Sequence, residues 1–143
     1  MASTTLPPFH LALPVHDIDA ARDFYGGVLG FDRGRSAERW TDWNVEGHQV
    51  VTHQVDDHVN AVVATSSVDG HDVPVPHFGL VLDVERFHEL ARRLTDAGTD
   101  FVIEPSVRFE GEPGEQWTMF LLDPSGNALE FKAFKDIGQL FTA

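Results

Sequence analysis

Two histidines and one glutamate hold matching places in predicted strands of this sequence. His10 opens an alternating run over residues 9–15, His77 opens a second such run, and Glu130 lies within a third run over residues 128–134. Side chains alternate between the two faces of a strand, so each of the three lies on the face opposite the bulky apolar residues. Two imidazoles and one carboxylate can bind a metal ion and leave positions open for a substrate. The pattern therefore indicates a metal site.

The residues that share strand faces with these three side chains are mostly small or apolar. They are Ala12, Pro14, Val51, Gly79, Val81 and Phe134. A solvated face more often carries Lys, Glu and Thr, whereas small and apolar residues around polar groups are typical of a concave pocket. The alternative is a polar face that simply meets water, as in many antiparallel sheets.

One histidine and one lysine are candidate catalytic residues because they occupy equivalent places in the two halves of the chain. His53 and Lys132 are both predicted on the pocket face. A neutral histidine beside a bound substrate can act as a general base, and a lysine can stabilise a developing anion. The alternative is that Lys132 extends to solvent at the pocket rim and His53 makes a structural hydrogen bond.

A polar loop over residues 108–116 precedes a predicted strand and can cover a bound ligand. Arg108, Glu115 and Gln116 are its candidate substrate-binding residues, and a solvated connection is the alternative. The remaining histidines are predicted to be surface or structural residues, and the three tryptophans are predicted to fill a core or an interface. These residues are His16, His48, His58, His71, His88, Trp40, Trp43 and Trp117.

An internal repeat organises the elements that must position these residues. Each half begins with a histidine-led strand, continues with a helix, and ends with strands around a Gly-containing turn. The order β-α-β-β-β is therefore predicted twice within one α+β domain of 143 residues. The first module spans about 8–56 and the second about 77–135, joined by a linker over 57–76 with one strand over 60–65 and followed by a tail over 136–143.

Composition excludes several classes of function. The chain has no cysteine, so it has no disulfide framework and no thiolate site. Its net charge of −13 disfavours nucleic acid and anionic membranes as partners. No apolar run reaches the roughly 20 residues of a membrane helix, and the N-terminus is not typical of a secretory signal. We expect a cytoplasmic protein with a small-molecule substrate.

Three motifs carry a family resemblance that extends over nearly the whole chain. They are His10-Leu-Ala-Leu-Pro-Val-His-Asp, Ala21-Arg-Asp-Phe-Tyr-Gly-Gly-Val-Leu-Gly-Phe and Asp123-Pro-Ser-Gly-Asn-Ala-Leu-Glu-Phe. In these motifs the chain resembles the vicinal oxygen chelate superfamily. That group includes glyoxalase I, extradiol dioxygenases, methylmalonyl-CoA epimerase, fosfomycin-resistance transferases and bleomycin-binding proteins. The resemblance implies two βαβββ modules that curl into a half-open barrel around a divalent metal ion.

The resemblance also implies the metal ligands. Carried onto this chain, they are His10, His77 and Glu130. We also predict a homodimer, because such modules usually pair and a sheet of four strands leaves edges that pairing would cover. The three ligands would then lie within one chain or be shared across a swapped dimer. Some members have a fourth ligand, whose place here is Val51 by the count from the turn glycine. A shift of two residues would place Gln49 or His53 there instead. The implied ion is Fe(II), Mn, Ni or Zn.

The implied function is a metal-dependent enzyme acting on a small substrate that chelates the metal through two neighbouring oxygens. A three-ligand set is similar to that of dioxygenases, and glyoxalase-like lyases or isomerases also fit. Extradiol enzymes carry a catalytic His and Tyr before the 123–130 motif, where this chain has Phe120 and no histidine over 108–116. The alternatives are a fosfomycin-type metallotransferase and a metal-independent binding protein that holds a cationic aromatic ligand on its tryptophans.

Overall fold

The computed structural model describes residues 6–56, 64–68 and 70–142. By their contacts, the described residues form two compact units, one up to residue 56 and one from residue 64 onward. No helix within these ranges is long and apolar enough to cross a membrane.

The first unit is a four-stranded sheet with a helix. Its strands are β1 (His10–Val15), β2 (Asp32–Ser36), β3 (Trp40–Val45) and β4 (His48–Gln54), in the spatial order β1-β4-β3-β2. Strand β1 runs parallel to β4, and the other pairs are antiparallel. Helix α1 (Ile18–Arg22) begins at Asp17, whose carboxylate accepts hydrogen bonds from the amides of Asp19 and Ala20. A wider π-helical turn (Asp23–Val28) follows it, so the helix predicted in the first half of the chain is in part π-helical.

Aromatic side chains form the centre of the first unit. Trp43 is buried, and its indole N–H donates a 3.1 Å hydrogen bond to the Thr52 hydroxyl. Its ring lies 6.0 Å from that of Tyr25, which is fully buried. A Cβ on Gly26 would lie 3.0 Å from the Trp43 ring, so a glycine there lets the helix approach closely. The prediction that Trp43 fills a core is therefore confirmed, and Tyr25 belongs to the same core.

The second unit repeats the same order of elements and adds a hairpin before them. Its main sheet contains β7 (Val81–Leu82), β8 (Ile103–Arg108), β9 (Gln116–Leu122) and β10 (Ala128–Phe134), in the order β7-β10-β9-β8. Helix α2 (Val84–Asp96) follows β7 and begins at Asp83, whose carboxylate accepts from the Arg86 amide. A short 3₁₀ turn (Ile137–Gln139) follows β10. The predicted α+β fold of two βαβββ modules is confirmed, and each of its four-stranded sheets is open.

The hairpin lies in the segment predicted as a linker. It consists of β5 (Ala64–Val68) and β6 (His71–Val75), paired antiparallel around a turn at Gly70, whose φ is +81°. Most of the strand predicted over 60–65 lies outside the described residues. Val73 of β6 is buried against Phe120 and Ala128 of the main sheet. The hairpin therefore shares the core of the second unit.

Candidate functional site

A cavity of about 240 Å³ lies within the second unit. Strands β8, β9 and β10 form most of its wall, and β6 and the segment before β7 supply the rest. The lining residues are His71, Val73, His77, Ile103, Ser106, Arg108, Thr118, Phe120, Glu130 and Lys132. Four of these were candidates from the sequence, namely His77, Arg108, Glu130 and Lys132. The structure thus brings together one predicted ligand pair, one predicted catalytic residue and one predicted substrate-binding residue.

His77 and Glu130 are in contact in the cavity wall. The imidazole Nε2 of His77 lies 3.1 Å from Glu130 Oε2. The other carboxylate oxygen, Oε1, accepts a 3.0 Å hydrogen bond from the Thr118 hydroxyl and lies 3.6 Å from Lys132 Nζ. Each oxygen of Glu130 therefore has its own neighbours, and the carboxylate is held in one orientation.

The tautomer of His77 follows from its second nitrogen. Nδ1 lies 2.8 Å from the backbone carbonyl oxygen of Pro74, and a carbonyl oxygen only accepts hydrogen bonds. Nδ1 therefore carries a proton and donates it. In the neutral ring, Nε2 then presents a lone pair to the carboxylate oxygen of Glu130. Two electron-rich atoms 3.1 Å apart need a cation between them, either a proton or a metal ion.

The donor pair fits a divalent transition metal. Zinc binds imidazole nitrogen and carboxylate oxygen at about 2.0–2.2 Å, so two neighbouring ligands on one ion lie roughly 3.0–3.4 Å apart, from octahedral to tetrahedral angles. The observed separation of 3.1 Å lies within that range and is also the length of an N–H···O hydrogen bond. The hydrogen bond from His77 to a backbone carbonyl is also the usual arrangement behind a metal-bound histidine.

His10, the third predicted ligand, lies in the first unit on β1. Its Nδ1 lies 2.8 Å from Gln49 Oε1, directly opposite it on β4. With that oxygen facing it, Nδ1 carries the proton and Nε2 is the nitrogen left to accept. The histidines that open the two modules therefore both donate from Nδ1 and both keep Nε2 as the acceptor. Within neither unit do the described residues form a cluster of three or more His, Asp or Glu side chains suited to a metal ion.

The two modules differ at the glutamate position. In the first unit Val51 pairs with Ala12, two residues after His10, and is buried. In the second unit Phe78 bridges to Leu129 and Val81 pairs with Lys132, so Glu130 lies opposite Gly79, two residues after His77. The strand register thus makes Val51 the counterpart of Glu130, so the first module carries no carboxylate there.

The remaining sequence candidates lie in different surroundings. His53 is exposed on β4 of the first unit. Glu115 accepts a 2.9 Å hydrogen bond from the Gly111 amide and so closes the 108–116 loop on itself. Gln116 begins β9 opposite Arg108 but is not among the residues lining the second-unit cavity.

Six of the ten residues that line the cavity were not sequence candidates, and one of the six, His71, carries an ionisable side chain. His71 was predicted to be a surface or structural histidine, yet it lines the cavity from β6. The available signal was that His71 and Val73 are alternate residues after the Gly70 turn, so both side chains lie on the same face of a strand. That signal was weak because the hairpin has no counterpart in the other half of the chain.

A buried turn sets where β10 begins. Asp123 accepts 2.8 Å hydrogen bonds from the amides of Ser125 and Asn127, and a further one from the Asn127 side chain. Asp123 and Ser125 are both buried. The motif over 123–127 is thus a rigid connection that fixes the register of the strand carrying Glu130.

Trp117 belongs to the packing of α2 rather than to the cavity. Its ring lies 4.6 Å from that of His88 and 6.5 Å from that of Phe87, both on α2. Because Phe87 is fully buried, Trp117 packs at the edge of the core of this unit, as the sequence predicted.

Comparison with known proteins identifies the family to which this fold belongs. A family model described as the glyoxalase/bleomycin resistance protein/dioxygenase superfamily matches residues 8–131. The comparison with curated proteins finds no significant match. The chain is similar to a glyoxalase/bleomycin resistance protein/dioxygenase from Alicyclobacillus acidocaldarius, with 33% identity, a TM-score of 0.75, and coverage of 94% of this chain and 96% of that one.

Two more distant structures share the fold alone. The fosfomycin resistance protein FosX from Listeria monocytogenes is 14% identical, with a TM-score of 0.66 and coverage of 97% and 98% of the two chains. A glyoxalase/dioxygenase from Nostoc punctiforme is 15% identical, with a TM-score of 0.67 and coverage of 95% and 100%. On the family match and the relative at 33% identity, the chain belongs to the glyoxalase/bleomycin resistance protein/dioxygenase superfamily.

Proposed function

We propose that this protein is a divalent-metal-dependent enzyme that acts on a small substrate carrying two neighbouring oxygens. The observation that carries the proposal is the approach of His77 Nε2 to Glu130 Oε2 at 3.1 Å, with His77 Nδ1 already donating to Pro74. This arrangement leaves a nitrogen lone pair and a carboxylate oxygen directed at one point. With a proton in place of the metal ion, the same contact would be a hydrogen bond from a charged imidazole, so metal uptake distinguishes the two.

His77 and Glu130 would hold the metal, and His10 is the proposed third ligand, supplied by this chain or by a second copy. An imidazole and carboxylate set suits Fe(II), Mn, Ni or Zn. When bound, the ion would act as a Lewis acid on the two substrate oxygens. The Pro74 carbonyl orients His77, Gln49 orients His10, and Thr118 fixes Glu130.

Lys132 is the group proposed to stabilise negative charge that develops on the substrate. Its ammonium lies 3.6 Å from Glu130 Oε1 and lines the same cavity, so it can stabilise negative charge on a substrate oxygen or transfer a proton to it. His53 remains the second candidate for proton transfer. Phe120 packs its ring against His77 at a centroid distance of 4.9 Å and keeps that side of the cavity apolar.

The cavity composition favours isomerase or lyase chemistry over catechol cleavage. The position at which extradiol enzymes carry a tyrosine is Phe120, and the one tyrosine of the chain, Tyr25, is buried in the first unit. A lysine amine is present for proton transfer, whereas a phenol is not. Proton transfer beside a chelated substrate therefore fits these residues best.

Metal uptake tests the proposal directly. Untagged protein dialysed against micromolar Zn²⁺, Ni²⁺ or Mn²⁺ should retain one equivalent per chain of at least one ion. His77→Gln and His10→Gln should each weaken binding by at least about tenfold, because each removes one nitrogen ligand. His16→Gln, at an exposed histidine outside the proposed ligand set, is the control and should bind as wild type does. Absence of uptake by the wild type would refute the proposed function.

Thr118→Val should weaken metal binding without unfolding the protein. The substitution keeps the side-chain shape but removes the hydroxyl that donates to Glu130 Oε1. Loss of such an orienting hydrogen bond typically costs about 10–100-fold in metal affinity. Competition with a chromophoric chelator would measure the change. Unchanged affinity would show that Glu130 is positioned by other contacts.

A further inference from the structure

The charge of the cavity is opposite in sign to that of the whole protein. The chain has a net charge of −13. The charged residues that line the cavity, however, are two cations, Arg108 and Lys132, and one carboxylate, Glu130. Glu130 is also the residue in contact with His77. A protein with 23 acidic and 10 basic residues thus places an excess of positive charge in this cavity. Such a local field attracts an anionic substrate group.

Strand register separates the two ends of the cavity. Glu130 pairs with Phe120, and Lys132 pairs with Thr118, two residues away along β9. Arg108 pairs with Gln116, which lies a further two residues along β9. At about 3.3 Å per residue, the backbone of Arg108 is thus displaced by roughly 13 Å along the strands from that of Glu130. The cavity therefore has a His77–Glu130 end and an Arg108 end.

Arg108 is held at its end of the cavity. Its Nε atom is buried, and its guanidinium lies 5.0 Å from the centre of the Phe109 ring. A partly buried, stacked guanidinium is well suited to planar anions, since its N–H groups can bind both oxygens of a carboxylate. An arginine extended into solvent would be neither buried at Nε nor part of the cavity wall.

The apolar part of the wall lies at the His77–Glu130 end. Phe120 and Ile103 pair at the level of Glu130, and Val73 packs on Phe120. The level between the two ends carries Ser106, Thr118 and Lys132. A volume of about 240 Å³ lies below the roughly 300–1,000 Å³ of pockets for drug-sized ligands. The fitting ligand is therefore small, with a compact body that packs against Phe120 and an anionic group toward Arg108.

We infer that Arg108 is a specificity-determining residue that selects substrates with a carboxylate remote from the two metal-binding oxygens. The inference rests on the proposed function for the position of those oxygens. The charge excess at the Arg108 end stands independently of it. The substrate class is thus a small monocarboxylic acid with a chelating head.

Two matched probes test this selectivity. They are 3,4-dihydroxybenzoate and 3,4-dihydroxybenzamide, which share the chelating head and differ in the charge of the distal group. Titration calorimetry against Zn²⁺-loaded protein avoids any reaction with oxygen. We expect the wild type to bind the benzoate at least tenfold more tightly than the benzamide. Arg108→Gln should reduce that ratio to below about threefold by weakening the benzoate alone, since it removes a charge-assisted bidentate contact.

Controls separate the contribution of Arg108 from general charge effects. Arg92→Gln removes an exposed arginine on α2 and should leave the ratio unchanged. If circular dichroism shows that Arg108→Gln is unfolded, Arg108→Lys replaces it. The lysine keeps the positive charge but lacks the planar guanidinium that binds both carboxylate oxygens. The ratio of the two probe affinities should therefore still fall below half of the wild-type value.

The outcomes distinguish this inference from the proposed function. Equal binding of both probes by the metal-loaded wild type, or a ratio unchanged in the Arg108 variants, would overturn the inference and leave metal binding intact. If the wild type binds no metal, the proposed function fails, and 3,4-dihydroxybenzoate is titrated against the metal-free protein instead. Binding that is lost in Arg108→Gln would then support the anion site, whereas no binding would overturn it.

Discussion

Glu130→Gln should reduce the metal content of the protein from about one equivalent per chain to background. The amide has nearly the same shape as the carboxylate and can still accept the hydrogen bond from Thr118. It is uncharged, however, and is a much poorer ligand for a divalent ion than a carboxylate. Because the shape and the Thr118 contact are retained, we expect the fold to survive while the metal site is lost.

Elemental analysis and thermal unfolding together check this result. Glu104→Gln serves as the control because Glu104 is exposed on β8 and does not line the cavity. The control should retain metal and melt as wild type does. Retention of a full equivalent by Glu130→Gln would mean that the ion binds elsewhere.

Gly79→Ala should destabilise the protein by more than about 3 kcal/mol, because it forces overlap within a packed sheet. A Cβ built on Gly79 would overlap the backbone carbonyl oxygen of Glu130. That backbone cannot easily retreat, since the Glu130 amide donates to Phe78 and the Lys132 amide donates to Leu80. Relief of the clash would therefore separate these segments and displace Glu130.

Urea unfolding measures the cost of this substitution. Gly114→Ala is the matched control, because Gly114 has an ordinary φ and nothing lies within 4 Å of an added Cβ. The control should change the free energy of unfolding by less than about 0.5 kcal/mol. A loss of under about 1 kcal/mol in Gly79→Ala would show that the strands separate at little cost. The metal affinity of whatever folded protein remains should also fall.

Local patterns were sufficient to predict the repeated modules. The alternation over 9–15 and 128–134 reports strands directly, because the period of two distinguishes them from helices. Asp83 marked the start of α2 because an aspartate at that place caps a helix, and its carboxylate binds the Arg86 amide. The turn over 123–127 was similarly evident from its proline, glycine and asparagine.

Contacts between distant segments were not predictable in the same way. Alternation assigned His77 and Glu130 to strand faces, but it gives no distance between residues that are far apart in sequence. The anchoring of His77 by the Pro74 carbonyl depends on the path of the chain after β6, which no side-chain pattern encodes. The closure of the 108–116 loop by Glu115 likewise depends on a backbone amide, so its side chain was predicted as a ligand contact.

The hairpin has a consequence for how this protein can diversify. It contributes His71 and Val73 to the cavity wall, while Pro74 orients His77 through its main chain. A main-chain acceptor tolerates many replacements of the side chain that carries it, whereas His71 and Val73 are defined by their side chains. Descendants of this sequence can therefore reshape the cavity by exchanging hairpin residues while the His77–Glu130 pair stays as it is.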